Sequence, residues 1–279
     1  MSGDTAIWLD GAEATALPLP DRGLEFGDGL FETLLLKGCL PLHIELHLSR
    51  LQAGCRALMF PDCSDAVREQ LQQAATASAA RDWRWGVLRV TLTRGAGPRG
   101  YAPPEPAEPR IIIAATRLPD MPDRLPDPAR LGLASVRWSA QPLLAGLKHL
   151  NRLENVLAAR EYRAAGYDEA VMLDQWARPI SVVAGNLFAV RDGQLVTAPL
   201  HSCGIAGTRR NLIMQRWAPT LGLDVREDFM SVDQLQGAQE LFYSNSLLGL
   251  RPVASFGESS WSEHPVCESL HQLYRDELA

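Results

Sequence analysis

The sequence has no apolar run of the roughly 18 residues that a membrane-spanning helix needs. Its start, Met1 to Asp10, lacks the basic opening and apolar centre of a signal peptide. The expected location is the cytoplasm, with no membrane partner. Basic clusters are missing too. The formal net charge is -6 and the pI about 5.6, which argues against nucleic acid as a partner, because phosphate backbones demand concentrated positive surface. The five cysteines are an odd number without paired spacing, so neither a disulfide framework nor a zinc cluster is indicated. Internal repeats and low-complexity tracts are also absent. The most informative shortage is lysine: the second half of the chain holds one, Lys148, and every cationic position after it is arginine. Arginine cannot lose its proton in a protein, whereas a lysine that sheds its charge becomes an amine nucleophile able to form a Schiff base. Lys148 is therefore the first catalytic candidate; spacing alone also allows a surface lysine near a helix start.

What is present is the composition of a globular chain: 279 residues, 46% hydrophobic and 22% charged, enough for one large domain or two ordinary ones. Leu118 to Pro128 packs four prolines into eleven residues. Such stretches divide domains, so a small α/β domain is expected over 1–118, a linker over 119–128 and a larger α/β domain carrying Lys148 over 129–279. Alternation and β-branching mark strands at Ile7–Leu9, Leu30–Leu36, Val87–Thr93, Ile111–Ala115, Leu131–Trp138, Asp168–Leu173, Asn186–Val190, Gln194–Thr197 and Leu241–Ser246. Helical spacing marks 44–59, 65–78, 152–165 and 264–278. Leu19–Gly23 reads as a loop, and the glycines on either side of Asp28 suggest backbone bent against a close neighbour.

Three motifs carry chemistry or imitate it. His43 and His47 stand four apart on one helix, but Glu45 is not where the zinc-protease pattern needs its glutamate, so no metal is assigned. Gly95-Ala96-Gly97-Pro98-Arg99-Gly100 matches the dinucleotide fingerprint, yet the prolines that follow forbid the helix which must hold the pyrophosphate. A glycine loop exposing Arg99 beside Tyr101 suits a small anion; an ordinary flexible hairpin end is the alternative. Gly204-Ile205-Ala206-Gly207-Thr208-Arg209-Arg210 feeds a helix N-terminus, where free backbone N–H groups and the helix dipole favour an anion.

Together with Asp21-Arg22-Gly23, Phe26-Gly27-Asp28-Gly29-Leu30-Phe31-Glu32-Thr33, His47-Leu48-Ser49-Arg50-Leu51, Lys148-His149-Leu150-Asn151-Arg152, Gly185-Asn186-Leu187-Phe188 and Ser244-Asn245-Ser246, these motifs resemble the fold-type IV pyridoxal-phosphate enzymes. The resemblance implies an α/β (α+β) two-domain fold with pyridoxal phosphate in the interdomain cleft. It implies Lys148 as the Schiff-base lysine. Arg50 and the backbone at Gly207, Thr208 and Arg209 would hold the cofactor phosphate, with Asn245 assisting. It favours the lyase branch, which converts 4-amino-4-deoxychorismate to 4-aminobenzoate and pyruvate. The alternatives are a D-amino-acid or branched-chain transaminase of the same fold and a cofactor-binding protein without catalysis. A small-molecule substrate with carboxylates would take arginine partners, Arg99 first, with Tyr101 beside it, and Arg251 second. A homodimer is implied as well. Many relatives have a glutamate five residues before the Asn-Leu-Phe asparagine, and this chain has Ser181 there. A serine can donate to an unprotonated ring nitrogen, which makes the ring a weaker electron sink.

Overall fold

The computed structural model describes residues 4–119 and 124–278. Residues 120–123, in the middle of the expected linker, lie outside the described residues. Chain contacts divide the protein into two compact units. The first comprises the chain up to the proline-rich stretch together with Leu147–Asn151, and the second is the remainder. Lys148, expected in the larger domain, belongs to the first unit, because its segment pairs with a strand there.

Period-two burial builds the first unit. Its described strands are β1 (Thr5–Leu9), β2 (Ala12–Glu13), β3 (Gly29–Lys37), β4 (Leu40–Pro41), β5 (Trp85–Thr93) and β6 (Arg110–Leu118). They form an antiparallel sheet in the order β2-β1-β6-β5-β3-β4. Leu30, Leu34 and Leu36 of β3 alternate onto one face with Leu88, Val90 and Leu92 of β5. Helices α2 (Ile44–Ala57) and α3 (Ser64–Ala79) cover that face through Leu48, Leu51, Val67 and Leu71. The expected loop at Leu19–Gly23 gives way to a short helix, α1 (Arg22–Phe26). Asp21 caps it, accepting from Gly23 N at 2.9 Å and Leu24 N at 3.3 Å.

The described strands of the second unit are β7 (Ala129–Leu133), β8 (Glu169–Leu173), β9 (Pro179–Val182), β10 (Gly185–Arg191), β11 (Gln194–Thr197), β12 (Val225–Glu227), β13 (Glu240–Asn245), β14 (Gly249–Phe256) and β15 (Ser259–Ser260). The path β12-β11-β10-β13-β14-β7-β8-β9 is closed by pairing of β9 back to β10, so six strands form a ring. Its helices are α4 (Leu153–Ala164), α5 (Thr208–Leu212), α6 (Ala218–Thr220), α7 (Val232–Gln236) and α8 (Pro265–Leu278), with a π-helical turn, Ile213–Trp217, joining α5 to α6. Leu131, Val171, Leu187, Leu241, Tyr243 and Val253 form the buried cluster of one sheet face. The strand expected to run to Trp138 stops at Leu133, and β9 and β14 are strands that the sequence reading leaves out. No described helix is long and apolar enough to cross a membrane.

Candidate active site

In the first unit, Lys148 is fixed by backbone pairing. Leu147–Asn151 runs antiparallel along the start of β3: His149 bridges Leu30, Phe31 N–H donates to Lys148 O at 2.9 Å, and Leu150 N–H donates to Gly29 O at 3.0 Å. Lys148 Nζ lies 4.2 Å from the centroid of the Phe31 ring. Gly27 has φ +65°, and a Cβ there would stand 2.5 Å from Asn151 Oδ1. Asn151 is thus the close neighbour that the glycines around Asp28 anticipate.

Arg50 is held from beneath. Glu32 occupies a core-facing position of β3, in phase with Leu30 and Leu34, and is 2% exposed. Its Oε1 accepts from Arg50 Nε at 2.8 Å and its Oε2 from Arg50 Nη2 at 2.5 Å. His47 Nδ1 lies 2.6 Å from the same Oε2. Burial alone would raise the Glu32 pKa, but the Arg50 charge and the hydrogen bonds from Arg50 and His47 outweigh it and bring the carboxyl down to about 2. His47 and Arg50 sit three apart on α2, so both reach one strand face. Sequence reasoning misses Glu32. The available signal is a carboxylate at a core-phase position of an apolar strand.

Arg99 lies in an exposed loop whose geometry is set elsewhere. Buried Arg22 donates from Nη1 to Gly100 O at 3.0 Å and from Nη2 to Tyr101 O at 2.8 Å. Its Nε is paired with Asp28 Oδ2 at 2.9 Å, and Asp28 also pairs with Arg94 at 2.8 Å. Tyr101, 86% exposed, packs its ring 5.5 Å from that of Phe26.

In the second unit, ladder register sets Ser181 opposite Asn186 and Asn186 opposite Ser244, so these three side chains share one sheet face. Ser244 Oγ is buried without a hydrogen-bond partner among the described residues. Ser181 Oγ accepts from Trp138 Nε1 at 3.0 Å. Asn186 Nδ2 donates to Ile205 O at 2.9 Å, which holds the glycine loop against β10. A Cβ on Gly207 would overlap Asn186 Oδ1, so only glycine fits there. No side chain caps the helix that starts at Thr208, leaving its first-turn N–H groups for an anion.

The Arg209 side chain is buried, with its guanidinium carbon 4.8 Å from the Tyr274 ring centroid. Burial lowers its pKa. Its side chain packs against α8, so the backbone is what Arg209 offers at the helix start. Asn245 is engaged locally: Nδ2 donates to Ala184 O at 3.1 Å, and Oδ1 accepts from Leu247 N at 3.0 Å and Leu248 N at 2.8 Å. It shapes the turn after β13.

Arg251 sits apart from the row of Ser181, Asn186 and Ser244. It pairs opposite Tyr243, one position out of phase with Ser244, and so projects from the other face of the sheet. Its Nε donates to Asp127 O at 2.8 Å, and its Nη2 lies 3.8 Å from Asp168 Oδ1. The structure removes it from the Ser181–Asn186–Ser244 row.

The amino-transferase class IV family model matches residues 29–256. An aminodeoxychorismate lyase from Vibrio harveyi is 33% identical over 251 residues, covering 89% of this chain and 90% of the relative. The crystal structure of 4-amino-4-deoxychorismate lyase from Pseudomonas aeruginosa superimposes with a TM-score of 0.89 at 40% identity, over 98% of this chain and 99% of that one. A D-alanine aminotransferase of Listeria monocytogenes is 26% identical over 275 residues, 95% of this chain and 92% of its own length. With the family model spanning most of the sequence and a full-length relative above 30% identity, the chain belongs to the class IV amino-transferase family.

Proposed function

We propose that this protein is a pyridoxal-phosphate-dependent lyase that converts 4-amino-4-deoxychorismate to 4-aminobenzoate and pyruvate. The observation that carries this reading is the 33% and 40% identity to two such lyases over nearly the whole chain, against 26% to the D-alanine aminotransferase.

The residues present fit the cofactor. In the second unit the uncapped helix start at Thr208 with the glycine at 207 suits an anion such as its phosphate, and in the first the Glu32-held guanidinium of Arg50 suits one too. The partnerless Ser244 Oγ and the Ser181 hydroxyl supply buried polar groups on one sheet face. When bound, the cofactor supplies the electron sink. Lys148 would hold it through its amine, and the same amine, once free, would take the proton from the carbon bearing the substrate amine. Loss of the enolpyruvyl group leaves an aromatic ring, and aromatisation drives the step. Arg99 binds a substrate carboxylate through its planar fork.

Arg22 positions that arginine without touching substrate. Arg22→Ala is expected to raise KM by roughly tenfold to a hundredfold, since misplacing a binding group by an ångström has effects of that order. The visible cofactor band should stay unchanged. An unaltered KM would dissociate the 95–101 loop from substrate binding.

The active form is a homodimer. Helix α4 exposes Leu153, Val156 and Leu157 at i, i+3 and i+4, with Leu143 82% exposed before it, an apolar stripe that a second copy can cover. Sedimentation should give twice the chain mass, and Leu153→Glu should shift it toward the monomer; a monomeric wild type contradicts this.

The lyase reading is tested by supplying purified protein with 4-amino-4-deoxychorismate, or with D-alanine or a branched-chain amino acid plus a keto acid. Equal amounts of 4-aminobenzoate and pyruvate from the first, and no amino transfer from the others, are expected. Amino transfer without 4-aminobenzoate would replace the lyase reading with a transaminase.

A further inference from the structure

The hydrogen bond between Trp138 and Ser181 has a direction fixed by chemistry. An indole N–H donates and cannot accept. With Nε1 3.0 Å from Oγ, the serine oxygen must be the acceptor. Both side chains are buried, at 5% and 3% exposure. The serine therefore still holds its one proton, and among the described residues no acceptor takes it. A buried hydroxyl proton left in this way is costly unless a ligand receives it.

The indole cannot readily turn away. Trp138 N–H is bonded to Leu173 O at 2.9 Å, and the ring packs in the cluster containing Met172, Ile180 and Ala158. On Ser181's own strand, register with Met172 and Asn186 holds the serine on the same sheet face as the partnerless Ser244 Oγ. The guanidinium of Arg152 lies 5.6 Å from the centre of the Trp138 ring.

We infer that Trp138 locks Ser181 as a hydrogen-bond donor, so that this position accepts an unprotonated aromatic nitrogen and disfavours a protonated one. A pyridinium N–H could donate only to the second lone pair of the serine oxygen, and the buried hydroxyl proton would then be left without an acceptor among the described residues. A carboxylate at the same position would do the opposite. This inference rests on the proposed pyridoxal-phosphate reading, in which Ser181 faces the ring nitrogen. It makes Trp138 a positioning residue for reaction choice: an unprotonated ring withdraws electrons less strongly, which suits a carbanion discharged at once by a leaving group better than one that must persist for amino transfer.

The test is nitrogen NMR of the holoprotein loaded with ring-15N pyridoxal phosphate, with 4-aminobenzoate and pyruvate measured on the same sample. The wild-type ring signal is expected at the position of an unprotonated, hydrogen-bonded pyridine. Trp138→Phe frees the serine oxygen and should move the signal toward the protonated position. Ser181→Asp should move it fully, by the amount that protonation of the free cofactor produces. Ser181→Ala, which keeps the indole in place, should shift it to that of a pyridine without a hydrogen bond, and this variant decides the matter if Trp138→Phe does not fold. A protonated ring in the wild type, or a signal indifferent to Ser181→Ala, overturns the inference. Formation of both products beside a protonated ring overturns the inference alone, whereas an unprotonated ring without products overturns the lyase reading alone.

Discussion

Replacement of Lys148 by alanine is expected to lower turnover of 4-amino-4-deoxychorismate on the order of 10⁴-fold or more, the scale seen when a covalent catalytic group is removed. No other residue in the second half of the chain can take its place, because every cationic position after it is an arginine and cannot act as an amine. The placement of Lys148 is equally particular. Its carbonyl accepts from Phe31 N–H and its neighbour His149 bridges Leu30, so the lysine is carried on backbone paired to β3. Alanine keeps that pairing, which is why the fold should survive while the visible cofactor band disappears. Steady-state kinetics and the absorption spectrum of Lys148→Ala check this. Turnover within tenfold of wild type would remove Lys148 from the mechanism.

The second large effect is expected at Glu32. Glu32→Ala leaves Arg50 and His47 facing a buried cavity without their shared carboxylate, and breaking a buried ion pair from one side costs about 3–5 kcal/mol. Glu32→Gln keeps the shape and loses the charge, so it should fall between. The pH dependence follows from the direction of the shift. The folded-state pKa of Glu32 is depressed to about 2, while an unfolded glutamate titrates at roughly 4.3. Its contribution is therefore complete above about pH 4.3 and is lost as pH falls toward about 2. Denaturant titration of the cofactor-free proteins should show the gap between wild type and Glu32→Gln at neutral pH and a narrowing gap below about pH 4. A gap independent of pH would mean that packing, not charge, is what Glu32 contributes. Cofactor release should also quicken in Glu32→Gln, because Arg50 keeps at most one of the two bonds that aim its guanidinium and loses the charge beneath it.

Local chemistry made part of this molecule legible from sequence. The glycine before Asp28 marks the close approach of Asn151, as its place beside a second glycine suggests. Long-range pairing hid the rest. Nothing in the order of residues says that Leu147–Asn151 leaves the second unit to lie along β3. Helix α1 was hidden because five residues carry little periodicity, and only the Asp21 cap announces it. Strand β14 contains Pro252, which weakens a strand reading. With that strand unread, the phase that sends Arg251 to the opposite face from Ser244 could not be seen. Glu32 was visible as a charge in an apolar alternation, but its meaning depended on His47 and Arg50 arriving from α2. Trp138 offered no signal, since its partner Ser181 is remote in sequence.

The most direct measurement of the central claim is an absorption spectrum of the purified protein before and after 4-amino-4-deoxychorismate, with 4-aminobenzoate and pyruvate assayed in the same cuvette. A visible band that changes on substrate addition, with both products formed in equal amounts, is the predicted result. A protein with no visible band after loading with pyridoxal phosphate, or one that keeps its band and forms neither product, would contradict the account.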